Sequence, residues 1–192
     1  ALAFFNSYSG RIQKIEKKIA VGIKPRNNRQ FFAINALMNE SIKVVTLEGP
    51  AGTGKTLLAI AAAIDLQNNY DRIFISRPLV PLNNKEIGYL PGNEKEKVSP
   101  YMMPFWDNLE FIKSKFQPKS KNAIKINALI KKEKILVTPL AFIRGRSFVN
   151  KFIIIDEAQN LTPLEIKTII TRAGENTKIV LTGDKKQIDT PY

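Results

Sequence analysis

The sequence contains neither cysteine nor histidine in its 192 residues. Their absence excludes disulfide bonds, metal sites built on thiolate or imidazole ligands, and catalytic triads that depend on histidine. Any general base in this protein must therefore be a carboxylate. The lack of cysteine also fits a cytoplasmic protein, because disulfide bonds are rare in that compartment.

Long hydrophobic runs are missing as well. The longest apolar run covers residues 57–64, whereas a membrane-spanning helix needs roughly 20 residues. The N-terminus has no signal-peptide pattern, so we expect no association with a membrane. The chain does not begin with Met, and we expect it to be a piece of a longer protein.

Acidic residues are few compared with basic ones. Seventeen Asp and Glu face thirty Lys and Arg, which gives a formal net charge of +13. Such a charge attracts polyanions, nucleic acid first and acidic membrane second. The alternative is a solvated surface typical of a lysine-rich proteome, so the charge alone does not identify a partner.

Apolar, β-branched runs alternate with amphipathic segments after residue 25, which is typical of one α/β domain. Strands are predicted at 42–47, 72–76, 135–138, 152–156 and 178–182. Helices are predicted over residues 27–39, from the phosphate loop described below to about 67, and over 162–173. Another helical region is predicted from an N-cap at Ser99-Pro100 toward 116, and a lysine-rich amphipathic stretch follows it to about 132. This alternation predicts a mostly parallel sheet with helices on both faces. Residues 1–25 are predicted to be a basic linker or a peripheral helix over 11–20.

One segment matches the phosphate-binding pattern G-x-x-x-x-G-K-[ST]. It consists of Gly49, Pro50, Ala51, Gly52, Thr53, Gly54, Lys55 and Thr56. The glycines let backbone N–H groups point at phosphate oxygens, while Lys55 would reach the β- and γ-phosphates of ATP and Thr56 would bind Mg²⁺. The segment follows a predicted strand and opens a predicted helix, as this motif requires. A glycine-rich turn without a ligand is the alternative.

A second motif is the acid pair Asp156-Glu157, which ends the predicted strand 152–156. If that strand lies beside the phosphate-loop strand, Asp156 would hold Mg²⁺ through water and Glu157 would activate the attacking water. Acid pairs also end strands in ordinary turns, but the position downstream of a phosphate loop favours catalysis. The second acid favours a hydrolase, because small-molecule kinases and switch GTPases generally lack it.

Two glutamines are candidate nucleotide contacts. Gln187 follows the predicted strand 178–182, where it could contact both the γ-phosphate and the attacking water. The alternative is a plain β-turn at Gly183-Asp184 with Gln187 exposed. Gln30 could pair with an adenine edge, although such a residue taken alone is more often a surface residue.

The order of these motifs resembles the PhoH-like (phosphate-starvation-inducible) ATPase family, above all the branch in which the ATPase follows a PIN-type ribonuclease domain. The matching stretches, besides the phosphate loop, are 22–27 with Gln30, 76–81, 85–92, 100–101 through 107–109, 142–146, 156–160, 171–174, and 183–184 with 187–189. They cover nearly all of residues 22–190 in order, so the resemblance is specific.

The resemblance implies a RecA-like ATPase domain over residues 26–192, akin to the first domain of superfamily-one helicases. It implies ATP hydrolysis coupled to single-stranded RNA and assembly into a homo-oligomeric ring, such as a hexamer. Gln30 becomes an adenine reader and Gln187 a γ-phosphate sensor. Arg77 and Pro78 fall where related helicases contact the nucleic-acid backbone. Arg144, Arg146 and Arg172 are candidates for RNA contact or for an arginine finger. Arg172 is the first choice for an arginine finger that reaches a neighbour's ATP, and the alternative for each arginine is a solvated or structural role.

Two features depart from the family pattern. Asn83-Asn84 adds a residue before the glycine–proline motif, so that loop is expected to differ locally. The chain also stops at Tyr192, where the family continues, and no PIN-like acid cluster precedes residue 22. We therefore expect a domain truncated at its C-terminus and without nuclease activity.

Two other functions stay open: a basic RNA-binding module in which ATP mainly orders structure or assembly, and a phosphotransferase.

Overall fold

Strands and helices alternate along the computed structural model, which describes residues 2–6, 9–79, 94–143, 145 and 147–188. The strands are β1 (Ala3–Asn6), β2 (Arg11–Lys14), β3 (Val44–Glu48), β4 (Arg72–Ser76), β5 (Ile135–Val137), β6 (Lys151–Ile155) and β7 (Lys178–Gly183). The helices are α1 (Asn28–Met38), α2 (Lys55–Asp65), α3 (Glu94–Lys113), α4 (Lys121–Lys131) and α5 (Pro163–Ile170).

The last five strands form a parallel sheet in the order β3-β7-β6-β4-β5. The predicted parallel α/β architecture is confirmed. However, β7 lies between β3 and β6, so the expectation that the acid-bearing strand lies beside the phosphate-loop strand is wrong. Strand order depends on how the crossover helices pack, and the residues of a strand do not encode it locally.

Helices cover both faces of the sheet, as expected. Along β6, Phe152 and Ile154 pack into a core formed with α1–α4, whereas Ile153 and Ile155 pack into a second core with Ile169 of α5. Side chains alternate between the faces because successive Cβ atoms of a strand point in opposite directions. This burial on both faces explains why the central strands are apolar throughout.

Two strands of the N-terminal segment pair with each other, and the peripheral helix that was one of two alternatives for residues 11–20 is wrong. β1 pairs antiparallel with β2, and Phe5 lies opposite Ile12. Gly10 precedes β2 with a φ of 64°, a conformation that glycine adopts without steric cost. The reversal of the chain at this point brings residues 11–14 beside β1, and pairing between strands replaces local helical hydrogen bonds.

The start of α3 also differs from the prediction. The helix begins at Glu94 and contains Pro100 and Pro104, so Ser99 is not an N-cap. Met102, Phe105, Leu109 and Ile112 are buried in the core below it. Their spacing forms one continuous apolar face, and its burial stabilises a helix that each proline deprives of one hydrogen bond.

Local helix signals elsewhere were reliable. Thr162 caps α5 in the predicted capping box: its Oγ1 accepts from the backbone N–H of Glu165 at 3.3 Å, and Glu165 Oε2 accepts from the backbone N–H of Thr162 at 2.8 Å. The side chain of Asn27 caps α1 in a similar way by accepting from Gln30 N at 3.0 Å. Within the described part of the chain, no helix is long and apolar enough to cross a membrane.

Candidate active site

The carboxyl ends of β3, β7 and β6 meet at one edge of the sheet, and the sequence motifs follow these three ends. Gly49, after β3, donates its backbone N–H to Gly183 O at the end of β7, at 3.2 Å. Asp156, after β6, donates its backbone N–H to Ser76 O of β4 at 2.8 Å. Ligand sites in open parallel sheets lie at this edge, so the motifs occupy the expected place.

The phosphate loop links β3 to α2, which confirms the predicted strand–loop–helix context. Gly52 and Gly54 have φ values of 74° and 84°, in the left-handed region that favours glycine. Gly54 is the N-cap of α2, and the first turn of a helix presents unpaired N–H groups and a positive dipole end. The loop therefore has the backbone geometry of an anion site. It holds the predicted residues Gly49, Pro50, Ala51, Gly52, Thr53, Gly54, Lys55 and Thr56.

Lys55 folds back across this loop. Its Nζ donates to Gly49 O at 2.6 Å and to Pro50 O at 2.9 Å. Thr53 Oγ1 also donates to Pro50 O, at 2.8 Å. The ammonium group thus lies inside the loop and is partly shielded from water, where a bound phosphate would meet a positive charge at short range.

Asp156 joins two threonines at the floor of the site. The carboxylate is buried, and its Oδ1 accepts hydrogen bonds from Thr56 Oγ1 at 2.9 Å and from Thr182 Oγ1. Carboxylate and hydroxyl oxygens suit Mg²⁺, which binds through one or two protein groups, waters and substrate phosphates. The described residues contain no group of three or more His, Cys, Asp or Glu that could form a metal cage. The side-chain oxygens of Thr56 and Asp156 fit a magnesium ion that is held jointly with a nucleotide.

Thr182 is a functional candidate that sequence reasoning missed. It is buried and occupies the penultimate position of β7. A polar residue near the carboxyl end of an otherwise apolar strand was the available signal. Its significance depends on β7 lying next to β6, which brings the hydroxyl to Asp156.

Glu157 has a backbone conformation that is unusual for its residue type. Its φ and ψ angles are 53° and 37°, a left-handed conformation that costs on the order of 1 kcal/mol for a residue other than glycine. Its Oε2 accepts a hydrogen bond from Gln159 Nε2 at 2.6 Å. Such strain persists only where the surroundings determine the conformation, and it is common at functional sites.

A cavity of about 640 Å³ opens on the other side of the phosphate loop. Gln30 lies in its wall: its Nε2 donates to Thr53 O at 3.0 Å, and its Oε1 accepts from Arg26 N at 2.7 Å. Across the cavity, Lys115 Nζ lies 4.1 Å from the centre of the Phe111 ring. The cavity is large enough for a nucleobase. Gln30 both lines this cavity and contacts the phosphate loop.

Comparison with known proteins identifies the family. Residues 22–192 match the family described as PhoH-like protein. The chain belongs to the PhoH-like family. It is therefore a member of a family of P-loop ATPases, which agrees with the fold, the phosphate loop and the acid pair.

Individual relatives support this assignment. The chain is 51% identical to "Protein PhoH2" of Bacillus subtilis over 175 residues, which cover 89% of this chain and 38% of that protein. It is 40% identical to a "PhoH-like protein" of Synechocystis over 172 residues, covering 88% and 49%. It is 37% identical to a "PhoH-like protein" of Bacillus subtilis over 193 residues, covering 99% and 56%. The PhoH-like chain thus spans only about half, or less, of the length of these relatives.

The remaining predicted residues of this PhoH-like chain lie in three places. Gln187 is exposed in the turn after β7, where its backbone N–H donates to Asp184 O at 2.9 Å. Arg77 and Pro78 follow β4 and are half-buried, and Arg77 Nη1 donates to Tyr101 O at 3.4 Å. Arg144 and Arg146 lie outside the described residues. The sensor and RNA-contact roles therefore stay predictions.

Arg172 lies at the opposite edge of the sheet. It precedes β7, whereas the phosphate loop follows the carboxyl end of β3. It is exposed, and its Nη1 donates to Gly145 O at 3.0 Å. All six residues of β7 lie between it and the turn at residues 184–187, so the fold does not bring Arg172 to its own phosphate loop.

Proposed function

We propose that this chain binds ATP with Mg²⁺ at the carboxyl edge of the sheet and hydrolyses it in response to single-stranded RNA. The observation that carries the proposal is the hydrogen bond of 2.9 Å between Thr56 Oγ1 and Asp156 Oδ1. It joins the phosphate loop to the acid pair, which brings the two halves of an ATPase site within reach of one nucleotide. Glu157, the next residue, supplies the carboxylate that hydrolysis by water needs.

Each group has a defined task in this proposal. Lys55 exchanges its two loop carbonyls for oxygens of the β- and γ-phosphates, and Thr56 and Asp156 hold Mg²⁺. When bound, Mg²⁺ offsets the negative charge that develops on the phosphate oxygens. Glu157 orients the attacking water and accepts its proton. Gln30 and the cavity beside it bind the base.

The RNA-coupled part of the proposal is supported by a lysine-rich segment. Residues 119–132 contain five lysines and no acidic residue. In α4, the buried residues are Ala123, Ile126 and Leu129, so the helical repeat directs Lys121, Lys125 and Lys131 outward. A face of this kind suits the phosphates of a nucleic-acid backbone.

The carboxyl group of Asp65 lies near Lys125 on this face. Burial raises the pKa of the Asp65 carboxyl, and the nearby Lys125 lowers it. Asp65 therefore offsets part of the positive charge at one point of α4. The lysines on either side of Lys125 leave the face basic over the whole length of the helix.

The direct test measures ATP turnover by the 192-residue chain with and without single-stranded RNA, with Lys55→Ala as the inactive control. Turnover that RNA stimulates supports the proposal. Turnover that RNA leaves unchanged supports an ATPase without RNA coupling. RNA binding without turnover supports the binding module in which ATP orders structure or assembly. Transfer of the phosphate to an acceptor other than water supports a phosphotransferase.

A further inference from the structure

The carboxamide of Gln159 connects the acid pair to the turn after β7. Its Nε2 donates to Glu157 Oε2 at 2.6 Å and to the main-chain oxygen of Gln187 at 2.9 Å. Its Oε1 accepts from the backbone N–H of Asp184 at 3.1 Å. One side chain therefore contacts the proposed base and both ends of the turn that carries the proposed γ-phosphate sensor.

The chemistry of the three partners determines how this carboxamide is oriented. A backbone N–H can only donate, whereas a main-chain carbonyl and an ionised carboxylate can only accept. The oxygen of Gln159 must therefore face Asp184, and its nitrogen must face Glu157 and Gln187. A carboxylate at position 159 could not donate to the last two groups, and an apolar side chain could make none of the three hydrogen bonds.

Close packing at Gly183 keeps this arrangement compact. A Cβ atom at position 183 would overlap Gln159 Oε1 and would lie 3.3 Å from Gln159 N. The end of β7 thus lies close against the 157–159 segment, and glycine leaves room for the Gln159 carboxamide. A side chain at position 183 would displace the carboxamide of Gln159 from its hydrogen bonds to the turn and to Glu157.

We propose that Gln159 is a positioning residue that couples the carboxylate of Glu157 to the turn formed by residues 184–187. The inference rests on the proposed ATPase function. When a nucleotide draws the turn toward its γ-phosphate, the hydrogen bonds of Gln159 carry that movement to Glu157 and align it with the attacking water. Gln159 itself touches neither the nucleotide nor the water.

Gln159→Met in the 192-residue chain tests this role, since methionine has a similar length but makes none of the hydrogen bonds. We expect kcat for ATP to fall roughly 10- to 10²-fold, the scale of a misplaced catalytic group, with KM for ATP within about three-fold of the parent value. The matched control is Gln13→Met at an exposed site on β2, which should leave both constants unchanged. Gln159→Glu keeps the shape but places a second negative charge against Glu157, so its kcat should fall further.

A double-mutant cycle separates positioning from a merely structural role. If Gln159 acts through Glu157, adding Gln159→Met to Glu157→Gln should lower kcat no further. Losses that multiply, or a Gln159→Met enzyme within two-fold of the parent, would overturn the proposal.

If Gln159→Met does not fold in a thermal melt, Gln159→Glu takes its place, and parent-like turnover by that variant would be equally decisive. A parent chain without turnover would remove the proposed function and this role with it, whereas an active parent with an equally active variant would remove the role alone.

Discussion

Asp156 and Glu157 are adjacent in sequence but have different surroundings. Asp156 is buried and accepts hydrogen bonds from two threonines. Glu157 is half-buried, has a left-handed backbone conformation and contacts Gln159. A buried carboxylate ringed by hydroxyl groups suits a cation, whereas a carboxylate at the opening suits a water molecule. The structure thus supports different tasks for the two acids.

The first prediction tests this division. Glu157→Gln should keep ATP binding but lower kcat by roughly 10² or more, because a positioned base is lost while the phosphate loop stays intact. Lys55→Ala should instead weaken nucleotide binding and abolish turnover. Steady-state turnover and equilibrium binding of ATP measure both. The control for Glu157→Gln is Glu175→Gln, which makes the same substitution at an exposed site and should behave as the parent. Turnover at the parent rate by Glu157→Gln would show that another group activates the water.

Lys178 is a buried lysine whose ammonium group donates to main-chain oxygens at and just after the C-terminal end of α1. Its Nζ donates to Ala36 O at 3.1 Å, to Asn39 O at 2.8 Å and to Ile42 O at 2.7 Å. Burial and the like charge of Lys43 lower its pKa to about 8, and the opposite charge of Glu40 offsets part of that shift. The lysine therefore links the first residue of β7 to the helix that carries Gln30.

The second prediction concerns stability and pH. Between pH 8 and the unfolded-state pKa of 10.5, the unfolded chain keeps a proton on Lys178 that the folded chain releases, so stability should rise with pH. From pH 7 to 9.5, the free energy of unfolding of the parent should rise by about 2 kcal/mol relative to Lys178→Met. Denaturant unfolding at several pH values measures this difference. Parallel curves for the two proteins would contradict it, and Lys119→Met at an exposed site is the control.

At the scale of elements, α4 combines two functions in one helix. Its apolar face packs against α3 and β5, and its outward face carries lysines. Apolar residues at helical spacing and a Ser120 N-cap, which accepts from Ala123 N at 3.3 Å, both favour this helix locally. The lysines are free to serve binding because the fold does not need them for packing.

The third prediction tests whether α4 contacts RNA. Replacing Lys121 and Lys125 by Gln should flatten the plot of log affinity against log salt by about 0.7 for each RNA phosphate that the helix no longer neutralises. Fluorescence anisotropy with single-stranded RNA at several salt concentrations measures the slope. Lys14→Gln with Lys167→Gln removes the same charge elsewhere, on β2 and α5, and should leave the slope unchanged. Equal slopes for both double variants would exclude α4 as the RNA-binding face.

In the same titration, Arg77→Ala should flatten the slope by the equivalent of about one phosphate if Arg77 binds the RNA backbone.

At the scale of the whole molecule, the position of Arg172 bears on assembly. The fold places it at the edge of the sheet opposite to the phosphate loop, so it cannot complete its own site. We propose that it reaches the γ-phosphate of a neighbouring subunit in a ring, because an arginine supplied from outside often adds 10³ or more in rate.

The fourth prediction is a mixing experiment. Arg172→Ala keeps its own Glu157, and Glu157→Gln keeps its own Arg172. Each variant alone should be nearly inactive, and mixed rings should recover part of the turnover because some interfaces then contain both intact residues. Turnover is measured against mixing ratio, with assembly followed by analytical ultracentrifugation. Full activity of the parent as a dilute monomer, or an inactive mixture that still forms rings, would exclude a role for Arg172 in a neighbour's site.

Features that depend on a few adjacent residues could be predicted from the sequence. The phosphate loop, the acid pair and the capping box of α5 were all recognisable, because they follow from backbone conformations and hydrogen bonds within one turn. Alternating strands and helices also indicated the parallel sheet, since parallel strands need long crossovers. The predicted start of α3 failed because buried side chains such as Phe105 and Leu109 outweigh the local preference of Pro100.

Only the tertiary structure decided which of these segments meet. The insertion of β7 between β3 and β6 brings Thr182 to Asp156, and it brings the 184–187 turn to Gln159 and through it to Glu157. No local pattern encodes these contacts, because they join residues up to 28 positions apart through strand order and packing. The types of groups in the site are therefore a property of the sequence, whereas their coupling to one another is a property of the fold.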